Sequence, residues 1–330
     1  MKAAYINQPG PAESIVVGDL PTPQPQGSEV LVKVGAAALN PVDTYIRAGA
    51  IAMPLPKPFI VGCDLAGVVE AVGSAAKRFK VGDRVWGSCQ GLLGRQGTFA
   101  EYAAVEECWL NATPEGVSDE TAAACSLVGL TAHLGIVRDA KLKAGETLFV
   151  NGGTGGIGSM VVQMSKAIGA RVITTAGSAE KIVLCRELGA DAAINYKTEK
   201  VDERIRAFAP EGVNVWWETL REPNFDQAVP LLSARGRFIL MAGRDARPPF
   251  PVGPFYVKGC HLYGFAMFNA TPEELQAAGR DINGWLVAGK IKPRIDRIMP
   301  LAETAAAHRL QEENTVGKAG TLAGKIVIKP

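Results

Sequence analysis

At 330 residues the chain exceeds the size at which a single hydrophobic core stops growing, so two domains are expected. An apolar fraction of 47% against 21% charged describes an ordinary globular protein and excludes disordered and fibrous classes. The 35 basic and 33 acidic residues leave a net charge of +2 without a long like-charged run, so a small molecule, not nucleic acid or an anionic membrane, is expected as the main partner.

The amino-terminal segment lacks a basic stretch followed by an apolar one, and no run of about 18 uncharged apolar residues occurs. Neither export nor membrane insertion is expected. Cys63, Cys89, Cys108, Cys125, Cys185 and Cys260 are scattered without short repeated spacings. They form neither a zinc knuckle nor a disulfide framework, and suit reduced thiols in a cytoplasm.

The first third reads as β-rich, with strands predicted over 29–36, 59–61 and 66–72. Pro21, Pro23, Pro25, Pro54, Pro56 and Pro58 mark the loops between them. Further on, the rhythm alternates: a helix over 121–138, a strand over 147–151, a helix over 160–168, a strand over 171–176 and a helix over 179–188. Strands over 192–194, 213–217, 237–241 and 261–265, with a helix over 224–232, continue the pattern. These βαβ units supply about six parallel strands, so 122–267 is expected to be a doubly wound α/β domain. A helix over 272–288 and a strand over 325–329 return to the earlier character, which assigns 1–121 and 268–330 to one β-rich domain.

Gly153-Thr154-Gly155-Gly156-Ile157-Gly158 matches a dinucleotide fingerprint, a weak signal alone in a chain with 37 glycines. Its context strengthens it, because a strand precedes the loop and a helix follows. Gly153 is expected to permit the tight turn, Gly155 to let the backbone approach the pyrophosphate and Gly158 to allow close helix packing. The helix start would supply amide donors to the phosphates. The competing reading is a glycine turn with only a packing role.

About 20 residues past the glycines an acidic side chain would hold the ribose hydroxyls of NAD. Here the strand end reads Thr174-Thr175-Ala176-Gly177-Ser178, without a carboxylate. Ser178 and Lys181 could hold a 2′-phosphate by hydroxyl and cationic donors, which points to NADPH; otherwise Lys181 is a solvated helix lysine.

Several strings together resemble the zinc-free quinone oxidoreductase (zeta-crystallin-like) branch of the medium-chain dehydrogenase/reductases. They are the run Asn40-Pro41-Val42-Asp43-Thr44-Tyr45-Ile46-Arg47, Gly62-Cys63-Asp64-Leu65-Ala66-Gly67, Gly129-Leu130-Thr131-Ala132, the glycine loop, and Gly324-Lys325-Ile326-Val327. The resemblance runs nearly end to end. It implies a GroES-like catalytic domain joined to a Rossmann domain, with the active site in the cleft between them. Zinc-dependent relatives hold their metal at three positions that here are Asn40, Cys63 and Leu127, so no metal is expected.

By the same resemblance Asn40, Asp43, Tyr45 and Arg47 line the pocket near the nicotinamide. Tyr45 and Asn40 would donate hydrogen bonds to the acceptor oxygen while Asp43 orients them. Thr131 would touch the nicotinamide half and Tyr196 the adenosine side. Gly243 and Arg244 would approach from the other side, with Lys325 closing over the nicotinamide. The implied activity is NADPH-dependent hydride transfer to quinones. An alternative is reduction of a conjugated alkene in an enal, enone or enoyl thioester. A reading of another class is a non-catalytic NADPH-binding structural or RNA-associated protein; the balanced charge argues against nucleic acid as its main partner. The strand over 261–265 would lie at a sheet edge, so a homodimer is expected.

Overall fold

The computed structural model describes residues 1–317 and 319–330. In chain order the first stretch folds as β1 (Lys2–Ile6), β2 (Val16–Asp19), β3 (Glu29–Leu39), α1 (Pro41–Arg47) and β4 (Phe59–Ile60). It continues with β5 (Asp64–Val72), β6 (Arg84–Gly87), β7 (Tyr102–Glu106), β8 (Leu110–Ala112) and α2 (Asp119–His133). The middle alternates through β9 (Thr147–Val150), α3 (Gly156–Ile168), β10 (Arg171–Ala176), α4 (Ala179–Glu187), β11 (Ala192–Asn195) and α5 (Val201–Phe208). Then come β12 (Val213–Glu218), α6 (Phe225–Leu231), β13 (Leu232–Leu240), α7 (Val252–Val257) and β14 (His261–Gly264). The tail holds α8 (Pro272–Val287), β15 (Ile295–Pro300), α9 (Thr304–Thr315) and β16 (Lys325–Lys329).

These elements form two compact units, one of Met1–Leu130, Ala270–Val287 and Pro293–Pro330, the other of Thr131–Asn269 with Ala288–Lys292. The division at Leu130 falls inside α2, later than the expected residue 122, because the helix runs on without a break there. Asp119–Asp139 is long and apolar enough to cross a membrane, which a search for uncharged runs overlooks. Its 78% burial within the protein marks it as a core helix.

In the second unit the sheet order is β11-β10-β9-β12-β13-β14, all parallel, the strand order of a dinucleotide-binding doubly wound fold. Helices cover both faces of such a sheet, so β9 is buried at every residue and is apolar from Leu148 to Val150. The ring centroids of Phe149 and Trp216 lie 4.1 Å apart, and both Trp216 and Trp217 are buried core. Phe250 packs edge-on to Phe225 at 5.0 Å and so belongs to this core, whereas Tyr256 and Val257 on α7 are exposed.

The first unit holds a sheet of order β15-β16-β3-β5-β6-β8, with β7 also on β3, and a small sheet β2-β1-β4. Register places Ala38 opposite Asp64 and Leu39 opposite Ile326. Residues 40, 64 and 325 are therefore drawn to one end of the sheet.

Helix α9, absent from the sequence reading because its inner face lacks large apolar side chains, buries His308 edge-on to Phe99 at 6.1 Å. Among the described residues neither ring nitrogen has a hydrogen-bond partner. Burial, helped by the nearby Arg47 cation, pushes the imidazole down from 6.5 to about 3. Between those values the unfolded ring binds a proton that the folded ring refuses, so stability falls as pH drops through this window. The loss approaches on the order of 4 kcal/mol at the acid end. His308→Leu is expected to flatten this dependence, read as the denaturation midpoint between pH 6.5 and 4; an unchanged slope would assign the acid sensitivity elsewhere.

Candidate active site

The glycine loop leaves the carboxyl end of β9, beside the point where the strand order of the sheet reverses. Its backbone is tied to β10, with Gly152 N donating to Thr175 Oγ1 at 2.9 Å and Gly153 N to Thr175 O at 3.1 Å. The left-handed φ of +67° falls on Gly152, so the turn expected at Gly153 lies one residue earlier. A Cβ on Gly153 would stand 2.4 Å from Thr174 Oγ1, and one on Gly158 would stand 2.2 Å from the Gly152 carbonyl oxygen. Those two glycines are required by packing. Gly155 differs, since its Cβ would meet only Gly152 O at 3.5 Å and its φ of −70° suits any residue.

Helix α3 begins at Gly156, four residues before the expected start, and Gly156, Ile157 and Gly158 form its first turn. First-turn amides have no partner within the helix, and no side chain caps them here, while Thr154 is buried below. The loop is thus a row of donors at a positive helix end, with room left at Gly155 for an anion.

Beyond β10, Ser178 caps α4 by accepting from Lys181 N at 3.3 Å. Tyr196, half exposed after β11, lies over Gly177, where a Cβ would come 2.4 Å from its hydroxyl. Ser178, half-buried Lys181 and Tyr196 therefore belong to one lobe at the ends of β10 and β11. The strand end lacks an acid, but Glu180 follows in the first turn of α4, its carboxyl held down by its own backbone amide and the Ser178 hydroxyl. Gly243, at φ +83°, turns the chain after β13 and leaves Arg244 exposed. Thr131 is buried on α2.

Sequence reasoning missed Glu218, whose signal was an acid ending an apolar strand. It accepts from Asn151 Nδ2 at 3.0 Å, Leu220 N at 2.8 Å and Trp216 Nε1 at 3.2 Å. Burial pushes this carboxyl up while the donated bonds oppose the shift. The network ties the ends of β9 and β12 together beside the loop.

In the first unit Asn40 precedes α1, whose first residue is Pro41, and its backbone amide donates to Asp43 Oδ2 at 2.7 Å. The Asn40 side chain is fully buried; Nδ2 donates to Asp64 Oδ2 at 2.8 Å and Ala38 O at 3.2 Å, and Oδ1 accepts from Lys325 Nζ. That leaves no amide hydrogen for an acceptor oxygen, so the expected donor role of Asn40 gives way to one in holding the cluster. Lys325, expected to close over the nicotinamide, is engaged within the first unit: its buried Nζ donates to Leu39 O at 2.7 Å and to Asn40, and lies 3.8 Å from Asp64 Oδ2. Asp64, unremarked in the sequence except as part of a string, also accepts from Leu127 N at 3.3 Å.

Burial pushes the Asp64 carboxyl up and the Lys325 ammonium down, and each holds the other toward its charged form. Asp43 rises to about 7, chiefly through burial. Its Oδ1 has no hydrogen-bond partner among the described residues, while the Cys63 thiol, a weak donor, opposes the rise of the carboxyl. Tyr45 is half-buried two residues further along α1. Arg47, expected near the nicotinamide, is instead fully buried; it donates to Gly10 O at 2.7 Å and pairs with Glu312 on α9.

A zinc ion does not fit these residues. Asn40 offers a spent amide, burial holds the Cys63 thiol well above its ordinary value and so protonated, and Leu127 supplies no side-chain ligand. The Lys325 ammonium beside Asp64 would repel a dication. Among the described residues no three of His, Cys, Asp and Glu are grouped to hold a metal.

A glycine loop at the switch of a doubly wound sheet, joined in one chain to a β-rich unit, defines a dinucleotide-dependent oxidoreductase. Residues 26–115 match the alcohol dehydrogenase GroES-like domain, and residues 156–283 match the zinc-binding dehydrogenase family. The quinone oxidoreductase of Homo sapiens is 32% identical over 99% of this chain and 97% of its own length. A chloroplastic NADPH-dependent alkenal/one oxidoreductase of Arabidopsis thaliana is 33% identical over 93% of this chain and 74% of its own. The crystal structure of Escherichia coli quinone oxidoreductase complexed with NADPH superposes with a TM-score of 0.86 at 26% identity, covering all of both chains. The chain belongs to the quinone oxidoreductase family of the medium-chain dehydrogenase/reductases.

Proposed function

We propose that this protein reduces quinones with NADPH, without zinc. The observation that carries the reading is the Lys325 ammonium held by Asn40 and Asp64, beside two of the positions, Asn40 and Cys63, that the resemblance aligns with the metal ligands of zinc-dependent relatives. Without a Lewis acid, an alcohol oxygen has little to stabilise developing negative charge. Electron-poor acceptors need only hydrogen bonding. NADPH supplies the hydride when bound. The chain's part is to hold the pyrophosphate at residues 153–158, to present Thr131, Gly243 and Arg244 to the cofactor, and to position Tyr45 of α1 toward the acceptor oxygen.

NADPH oxidation with 9,10-phenanthrenequinone and with a simple enone tests the reading. Turnover of the quinone supports it, whereas turnover of the enone alone would sink it in favour of alkene reduction. That second reading is favoured by the similarity to the Arabidopsis thaliana alkenal/one oxidoreductase. Tight NADPH binding with no turnover of either would indicate a non-catalytic protein.

The 2′-phosphate is held by Ser178, Lys181 and Tyr196, with the phenol over Gly177 forming one wall. The double variant Lys181→Ala/Tyr196→Ala is expected to lose roughly 10- to 100-fold in NADPH affinity and little in NADH affinity. Titration calorimetry with both cofactors measures this; equal losses would deny the residues a phosphate role.

The protein is a homodimer paired along β14, which bonds only β13 among the described residues and exposes Leu262. Sedimentation as a monomer at micromolar concentration would refute it. Free thiols at all six cysteines suit a reducing cytoplasm.

A further inference from the structure

We infer that Lys325 is a positioning residue: its ammonium is a fixed internal cation that locks the Asn40 amide and the Asp64 carboxylate, and through them the start of α1 that carries Tyr45. The inference deepens the proposed reductase function and rests on it for the choice of assay.

The ammonium donates to Leu39 O and to Asn40 Oδ1, and Asp64 Oδ2 stands at ion-pair distance, 3.8 Å. Asn40 is in turn held at every polar atom. Rotating its amide by half a turn would set its NH2 against the ammonium and its oxygen against the Asp64 carboxylate, two repulsive contacts in place of two attractive ones. The charge on residue 325 therefore fixes which way residue 40 points.

Asp64 extends the lock by accepting from Leu127 N on α2, so β3, β5, β16, α1 and α2 meet at this cation. Without the ammonium, Asp64 would be a buried carboxylate lacking a counter-charge, a state costly enough to loosen what surrounds it. The backbone amide of Asn40, bonded to Asp43 Oδ2, is the first link from the cluster into α1. A displacement of about 1 Å at a catalytic group can cost on the order of 100-fold in rate. The glycine loop lies in the other unit and makes none of these bonds.

The full-length chain carrying Lys325→Met, Lys325→Arg, or Lys325→Met with Asp64→Leu tests this. Three quantities are read: the NADPH dissociation constant, kcat for whichever acceptor the parent turns over, and amide hydrogen exchange over residues 40–47. Lys325→Met is expected to lower kcat about 100-fold, leave NADPH affinity within about twofold, and speed exchange at Asn40 and Asp43. Lys325→Arg restores part of kcat. The double variant, with no uncompensated charge, recovers thermal stability yet keeps the low kcat, which separates positioning from simple folding loss. Should Lys325→Met not fold, the double variant carries all three measurements. NADPH affinity falling tenfold or more with kcat intact would make Lys325 a cofactor ligand and overturn the inference; so would unchanged exchange over 40–47. If the parent turns over no acceptor, the proposed function fails, while exchange and NADPH affinity still decide the role of Lys325.

Discussion

Gly155→Ala is expected to fold like the parent and to bind dinucleotide roughly 10- to 100-fold more weakly. The protein itself offers no reason for glycine at this position. The new methyl would meet one carbonyl oxygen at 3.5 Å, an ordinary contact, and φ is −70°. Alanine at this helix cap costs about 1 kcal/mol or less. On the proposed reading the space serves a ligand: a pyrophosphate drawn to the first amides of α3 would come against that methyl. Gly158→Ala supplies the contrast. There the methyl would stand 2.2 Å from a backbone oxygen that cannot move aside, so both melting temperature and binding should fall. Titration calorimetry and thermal melts separate the two. If Gly155→Ala binds NADPH as tightly as the parent, the loop is a packing turn and the phosphates lie elsewhere.

Arg47→Met is expected to destabilise the first unit by about 1–3 kcal/mol, mainly the cost of leaving a buried acceptor without its donor, since Glu312 is partly solvated. The guanidinium is fully buried, bonds Gly10 O and Glu312, and joins α1 to α9. Methionine fills the volume but leaves the Gly10 carbonyl without its donor and Glu312 without its partner. The same change removes a positive charge near His308, so the imidazole should titrate nearer its ordinary value and the acid sensitivity should shrink. Urea denaturation at pH 7 and pH 5 reads both effects. A loss under about 1 kcal/mol would show that the pair is solvated and works as a surface bridge.

The two experiments divide along the line between what was legible and what was not. Strands β10 and β16 fall at their expected bounds because each is a mostly buried run of β-branched residues between clear turn signals. β15 carries no signal because none of its positions is buried, and α9 carries none because its regularly spaced buried face is Thr304, Ala307, His308 and Gln311 in place of large apolar side chains. The loop at 153–158 could be read because a phosphate cradle is contiguous: strand, glycines and helix lie within one local motif. The missing acid on the second strand was equally local, and Glu180 was overlooked only because it sits one turn further on.

The resemblance carried the family, the doubly wound sheet and the glycine loop, all of which the chain possesses. It placed Lys325 and Arg47 by the neighbours they keep in sequence, and tertiary structure engages both within the first unit. Asn40 and Lys325 are 285 positions apart, and Asn40 and Asp64 are 24 apart. No periodicity or spacing links such residues. Hydrophobic rhythm and turn chemistry act between near neighbours, so the sequence by itself determined the alternating strands and helices and the cofactor loop. Strand register acts between segments far apart in the chain, and it alone decided that a buried ammonium, an amide and a carboxylate share the end of one sheet.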